Sequence, residues 1–164
     1  MVANDPWQKS PTRRVSAAED RFALTEALAD GIPGVEASRL EIDRGGPSYS
    51  VVTAEEIRRQ AGRPEPELFL VVGADLVPEL ESWERSKDLR RLVTLAVVSR
   101  PTSASHPTPV VPSGWRVEWI DGPMVDVSSS EVRQALSRGG PIEHLVPPGV
   151  VHCIRGRNMY AVLR

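Results

Sequence analysis

In the segment VDVSSSEVR, residues 125–133, three hydroxyl side chains stand before a stretch of helical character and an arginine follows a turn later. The first N–H groups of a helix lack intrahelical partners, and the helix dipole makes that end attractive to anions. Ser128 and Ser130 add hydroxyl donors, and Arg133 adds a planar, permanently charged fork suited to phosphate. A triphosphate fits such a place; a serine-capped surface helix with a solvated arginine reads the same way. In GADLVPELESW an apolar run ends at Gly73 and a carboxylate follows at Asp75. Glycine admits close approach of a ligand to the backbone, and a carboxylate two residues on accepts both hydroxyls of a ribose. Alone, Asp75 serves equally well as the N-cap of a following helix, and Trp83 is either core or an aromatic plate for a pyridine ring. In GGPSYSVVT, residues 45–53, the backbone amides of Ser50 and Val51 offer a nest for a carboxylate, or belong to a turn of no function. Lys9 in ANDPWQK is a phosphate contact or simply solvated.

These segments need elements to position them. Ser16 with Glu19 predicts a capping box, opening a helix that Asp30 and Gly31 stop. VEASRLEID reads as a short strand ending near Asp43, and Thr53 with Glu56 predicts a second capping box for a helix ending near Gly62. The apolar runs at 68–72 and 93–98 are those of strands covered on both faces. Between them, residues 76–91 form one or two short helices, with Pro78 tolerable only near the start of the first. Strand, helix and strand imply a parallel pair with a right-handed crossover. A proline-rich loop over 100–114 leads to a weak strand at 117–120. Ser128 with Glu131 opens a last capped helix, ended by Gly139 and Gly140, and the closing GVVHCIRGRNMYAVLR forms two apolar pieces joined by a polar turn. The fold class is therefore α/β with a mostly parallel sheet, which binds ligands outside the carboxyl ends of its strands. The loops after Asp43, Val72 and Ile120 are where chemistry is expected.

The 164 residues are the size of one globular domain over 1–164, with 40% hydrophobic and 26% charged content. A net charge of -2 from 20 basic and 22 acidic residues, mixed along the chain, gives no basic face for a nucleic-acid backbone. No apolar run approaches the roughly 20 residues that span a bilayer, and the polar opening lacks the apolar centre of a signal peptide, so a cytoplasmic location is expected. Cys153, the single cysteine, reads as a buried small hydrophobe. There is no internal repeat.

Taken in order, ANDPWQK, SAAEDR, DRGGPSYS, LFLVVGADLVPELESW, VVSRP, VDVSSSEVR, LVPPGVV and NMY resemble the bacterial nicotinate-mononucleotide adenylyltransferase family along essentially the whole chain. The most specific pieces are Gly73, Asp75 and Trp83, and the helix start from Val127 to Arg133. The resemblance implies a Rossmann-like nucleotidyltransferase fold and transfer of the adenylyl group of ATP to nicotinate mononucleotide. Deamido-NAD and pyrophosphate are the implied products, and the implied setting is NAD biosynthesis. It further implies that Ser128, Ser130 and Arg133 hold the ATP phosphates and act in catalysis, and that Gly73 and Asp75 bind the adenosine ribose. Trp83 would stack on nicotinate, Tyr49, Ser50 and Val51 would meet its carboxylate, and Lys9 would be a further mononucleotide contact. Mg²⁺ would be held mainly by ATP oxygens and water. Small-molecule substrates and a homo-oligomer fit this reading.

The chain departs from the family at Ser50 and Ser130, where threonine is usual, and at Glu84, where an aromatic residue is common. Nothing in it matches the family's opening strand, GxFxPxHxGH turn and first helix. His106, His144 and His152 do not replace the two histidines of that turn, since none sits in a Gly-flanked turn after a strand. Losing one preorganised donor commonly costs ~10² to 10³ in rate, so the expectation is an N-terminally truncated chain of doubtful activity by itself. The alternative is a non-catalytic nucleotide-binding or interaction module of the same ancestry.

Overall fold

The computed structural model describes residues 2–4, 15–62, 66–98, 109–122 and 127–160. It comprises two compact units, Tyr49–Val125 and Met1–Ser48 with Asp126–Arg164. Lys9 and His106 lie outside the described residues.

Within Tyr49–Val125, β1 (Phe69–Gly73), β2 (Thr94–Val98) and β3 (Val117–Ile120) form a parallel sheet in the order β1-β2-β3. Leu70 pairs in register with Leu95, which in turn pairs with Val117. The expected parallel pair is present, and the weak strand at 117–120 is its third member. Side chains of a strand alternate between faces. Leu70, Val72, Leu95, Val97 and Val117 therefore turn to one face, and there they share a core with Val51, Val77, Leu80 and Leu89. Val51 comes from α3 (Ser50–Gln60), Val77 and Leu80 from a 3₁₀ helix (Ala74–Ser82), and Leu89 from α4 (Ser86–Leu92). All three helical segments thus cover the same face. The expectation of a β1 strand covered on both sides is corrected accordingly: Phe69 and Val71, on the other face, are 47% and 68% exposed.

Pro78 falls in the middle of the 3₁₀ helix rather than near a helix start. Proline supplies no N–H and clashes inside an α-helix, and here the chain takes the tighter 3₁₀ winding, usually confined to short pieces. Arg85 precedes α4 in the left-handed region at φ 48°. Its guanidinium donates to both carboxylate oxygens of Glu55, at 3.1 and 2.7 Å, and to Asp88 at 2.9 Å, contacts that hold the turn.

The other unit contains α1 (Ala18–Ala29), α2 (Leu40–Arg44), α5 (Ser129–Ser137) and α6 (Pro148–Gly156). Val132, Ile142, Val150, Val151, Ile154 and Met159 form its core, with Leu24 and Ala27 of α1 packed on it. A side chain at Gly149 would meet the Ala27 carbonyl at 3.2 Å, so glycine there permits the close approach of α1 and α6. α6 forms the first of the two expected apolar pieces and residues 157–160 turn after it, while 161–164 lie outside the described residues. Cys153 is half-buried, not buried, and lines an open groove with Ala27 and His152.

Two capping boxes and one strand differ from expectation. α1 begins one residue after Ala17 with no side-chain cap; the Ser16 hydroxyl instead donates to the Tyr160 hydroxyl at 3.3 Å. Glu19 accepts both ends of the Arg39 fork at 2.8 Å, and those bonds hold its carboxyl below the usual range. Thr53 lies buried inside α3, which starts at Ser50, with its N–H donating to the Tyr49 carbonyl at 3.1 Å. Residues 35–39 are irregular and 40–44 helical where VEASRLEID promised a strand. A strand requires a ladder partner, whereas α2 satisfies itself locally: Asp43 N–H donates to the Arg39 carbonyl and Gly45 N–H to that of Glu41.

Candidate functional site

The carboxyl end of β1 carries the first group of predicted residues. Gly73 ends the strand with φ -70° and ψ 147°, ordinary extended backbone, so its small size and not its flexibility is what matters. A Cβ at Gly73 would lie 2.3 Å from Oδ1 of Asp75. The carboxylate therefore lies against the bare backbone of Gly73, and the structure brings these two residues together. Asp75 does not cap the helix that follows, because that helix has no side-chain cap at all. An exposed carboxylate without a capping duty stays available to a pair of hydroxyl donors.

Trp83 ends the same 3₁₀ helix, half-buried, with part of its ring packed on the core beside Leu80. Trp83 is thus packed on the core yet only partly buried. Val51, on α3, is fully buried in that core. Tyr49 is the extended N-cap residue of α3 and gives it no side-chain cap. The first N–H groups of α3, those of Ser50 and Val51 among them, consequently have no intrahelical acceptor and sit at the positive end of the dipole. The sequence suggested a turn-like nest; the structure supplies a helix N-terminus, with Val51 contributing backbone alone because its side chain is core.

Ser128, Ser130 and Arg133 form a separate group on α5, and here the serine half of the predicted capping box is present. The Ser128 hydroxyl oxygen accepts the Glu131 N–H at 3.1 Å. Arg133 Nη2 donates to the Ser130 hydroxyl oxygen at 3.2 Å. Each serine oxygen thus acts as an acceptor within the helix, which leaves each O–H free to donate outward. Val132, buried between these polar neighbours, anchors the helix. An apolar cavity of about 210 Å³ opens beside Ser129 and Arg133, lined by Leu24, Leu28, Val150 and Tyr160.

Asn4 and Arg21 carry contacts that sequence reasoning assigned to neither. Arg21 donates to the carbonyls of Ala3, Asn4 and Ser16, and Asn4 bonds to Gly46 and Ser48. Both lie in segments that carried the resemblance, ANDPWQK and SAAEDR, but no local periodicity reveals a contact between them. His144 and His152 are exposed, on a turn and on α6. Among the described residues no cluster of three His, Cys, Asp or Glu could hold a metal ion, and no helix is long and apolar enough to cross a membrane.

If the close contact of Gly73 and Asp75 serves ligand binding, Gly73→Ala will displace the carboxylate while its backbone angles suit alanine. We expect weaker binding of ATP by calorimetry with little change in melting temperature. A large fall in melting temperature at unchanged affinity would make the glycine structural.

Comparison with known proteins gives concordant findings. Residues 1–135 match the Cytidylyltransferase-like family. The "Probable nicotinate-nucleotide adenylyltransferase" of Frankia casuarinae is 38% identical over 160 residues, covering 98% of this chain and 82% of that protein. The protein of the same name from Streptomyces coelicolor is 37% identical over the same shares. Among solved structures, the Plasmodium falciparum nicotinic acid mononucleotide adenylyltransferase complexed with NaAD is similar with a TM-score of 0.65. That match covers 90% of this chain and 76% of the other at 16% identity. The same enzyme complexed with APC matches 71% of this chain and 60% of the other, with a TM-score of 0.54. At such identity these structures speak for the fold, an α/β nucleotidyltransferase fold with a parallel sheet.

Proposed function

We propose that this chain, which belongs to the nicotinate-nucleotide adenylyltransferase family, transfers the adenylyl group of ATP to nicotinate mononucleotide, forming deamido-NAD and pyrophosphate. The observation that carries the reading is the set of groups at the carboxyl end of β1. Gly73 and Asp75 stand at the carboxyl end of β1 in a parallel sheet, where such folds bind ligands, and Trp83, packed on the core, ends the 3₁₀ helix that follows.

Chemistry follows from these groups. The phosphate of the mononucleotide attacks the α-phosphorus of ATP; a new P–O bond forms, the bond from that phosphorus to the bridging oxygen breaks, and pyrophosphate leaves with the electron pair. The nucleophile is already an anion, so alignment and charge neutralisation matter more than a general base. Asp75 accepts the ribose hydroxyls, the bare backbone of Gly73 lets the nucleoside approach, and Trp83 stacks on the pyridine ring. The amides of Ser50 and Val51 receive the nicotinate carboxylate at the positive end of α3. Arg133, with the hydroxyls of Ser128 and Ser130 and the start of α5, holds the phosphates. Lys9 is a further contact for the mononucleotide. Mg²⁺, held mainly by ATP oxygens and water, would neutralise phosphate charge.

The direct test incubates the chain with ATP, Mg²⁺ and nicotinate mononucleotide and follows deamido-NAD and pyrophosphate by chromatography. Stoichiometric formation of both is expected; binding of the two substrates without product would favour a non-catalytic module. Trp83→Ala should raise KM for the mononucleotide by an amount consistent with ~1 to 3 kcal/mol of lost stacking, by analogy with bases on aromatic side chains. An unchanged KM with a lowered melting temperature would mark Trp83 as core alone.

A further inference from the structure

Trp115 is buried, 8% exposed, in the core that also holds Val77 and Leu80 of the 3₁₀ helix. Its indole N–H donates to Oε1 of Glu81 at 3.1 Å. A buried indole usually finds a partner for its single donor, and here the acceptor is a carboxylate, which strengthens the bond. That carboxylate comes from an exposed residue, one place before the helix ends at Ser82 and two before Trp83.

Backbone contacts fix Trp115 on both sides. Before it, Arg90 of α4 donates to the Ser113 carbonyl at 3.1 Å. Gly114 has φ 87°, and a Cβ there would meet Arg90 Nη1 at 3.0 Å, so the guanidinium lies against this turn. After it, the Arg116 carbonyl accepts the Leu95 N–H at 2.9 Å. Trp115 is therefore a fixed point tied to α4 and β2. The 3₁₀ helix has less of its own to define where it ends. Its nine residues exceed the usual length of that winding, whose hydrogen bonds are poorly aligned, and Pro78 supplies no donor. Two further bonds at its end are local: the Ser82 hydroxyl donates to the Glu79 carbonyl at 2.7 Å, and the Trp83 N–H to that of Leu80 at 3.2 Å. The indole bond joins this end to a residue 34 places along the chain.

We infer that Trp115 and Glu81 are positioning residues for the mononucleotide: their hydrogen bond holds the end of the 3₁₀ helix, and with it the Trp83 ring, where the pyridine stacks. The inference rests on the function proposed above. All of these groups belong to the unit Tyr49–Val125. Asp75 stands at the other end of the helix, with the fully buried Val77 and Leu80 between it and Glu81, so the ribose contact should not move with the bond.

Calorimetry on the full chain tests this, with nicotinate mononucleotide and ATP titrated separately into wild type, Trp115→Phe, Glu81→Ala and Glu81→Gln, alongside melting temperatures. The same substitutions are then repeated on Trp83→Ala. Trp115→Phe and Glu81→Ala should each lower mononucleotide affinity by about threefold or more, the scale of one hydrogen bond, while ATP affinity stays within about twofold. Glu81→Gln keeps an acceptor oxygen and should recover most of the affinity. On Trp83→Ala neither substitution should cost anything further, because no ring is left to position. If Trp115→Phe does not fold, Glu81→Ala, at an exposed position, decides. Unchanged mononucleotide affinity in folded variants overturns the inference, as does an equal loss for ATP, a Glu81→Gln as weak as Glu81→Ala, or a full further loss on Trp83→Ala. A Trp83→Ala that binds the mononucleotide as wild type does overturns the inference and leaves the proposed function standing. A wild-type chain that binds ATP but no mononucleotide removes the proposed function itself, and the inference with it.

Discussion

Replacing Arg133 with alanine should lower kcat/KM for ATP by about one to two orders of magnitude while leaving nicotinate mononucleotide binding nearly untouched. Hydrogen bonds to charged groups contribute ~1.5 to 3 kcal/mol each, and a charge-assisted fork on phosphate belongs to that class. In the free chain Arg133 makes a single bond to Ser130 and lines a cavity, while Val132 alone of the α5 side chains is buried. Truncation at Arg133 would therefore remove the proposed phosphate contacts without removing the anchor of the helix. Arg133→Lys should recover only part of the loss, because an ammonium reproduces the charge but not the paired geometry. ATP titrations by calorimetry, followed by steady-state rates at low ATP, measure this directly. A normal rate at modest ATP would separate α5 from the phosphates.

The largest stability effect is expected at Leu95. It lies on β2, the central strand, is fully buried, and pairs with Leu70 on one side and Val117 on the other. Removing its side chain leaves a cavity among Val72, Val97 and Leu89, for which ~2 to 5 kcal/mol is the usual cost. Val71→Ala on the neighbouring strand provides the contrast: that side chain is 68% exposed, and changes at such positions usually stay within about 0.5 kcal/mol. Urea unfolding of the two variants should separate them clearly. Equal midpoints would contradict the assignment of the sheet's covered face.

Where the sequence was readable, the cause was local. The run LFLVV is apolar enough to be a strand under any register, and β1 forms there. Ser128 lies three residues before Glu131, the spacing of a capping box, and the hydroxyl makes that bond. Asp75 beside Gly73 was legible as a pair because the two are close in sequence, at the end of a strand and the start of the segment after it. Where the sequence misled, a partner elsewhere in the chain decided. Ser16 and Glu19 have capping-box spacing, but Tyr160 takes the first and Arg39 the second. Thr53 looked like a helix start and is instead a buried side chain within α3, whose beginning has no side-chain signal. The apolar pattern of VEASRLEID suits a strand, but pattern alone supplies no ladder, and residues 40–44 close their own hydrogen bonds. The contacts of Arg21 with Ala3 and Asn4 belong to the same class, since no spacing rule predicts an arginine bonded to carbonyls far back along the chain.

The uncovered face of β1 has a consequence for how the protein behaves at high concentration. Among the described residues β1 pairs only with β2, so its second edge keeps a row of backbone donors and acceptors next to the exposed Phe69 and Val71. Two molecules that meet along this edge gain ladder bonds and bury apolar surface in a single event, which is how edge strands seed self-association. Loss of soluble protein should then grow faster than linearly with concentration. Dilution, more than cooling, should limit this association, because apolar attraction varies only slowly with temperature whereas encounter frequency scales with the square of concentration.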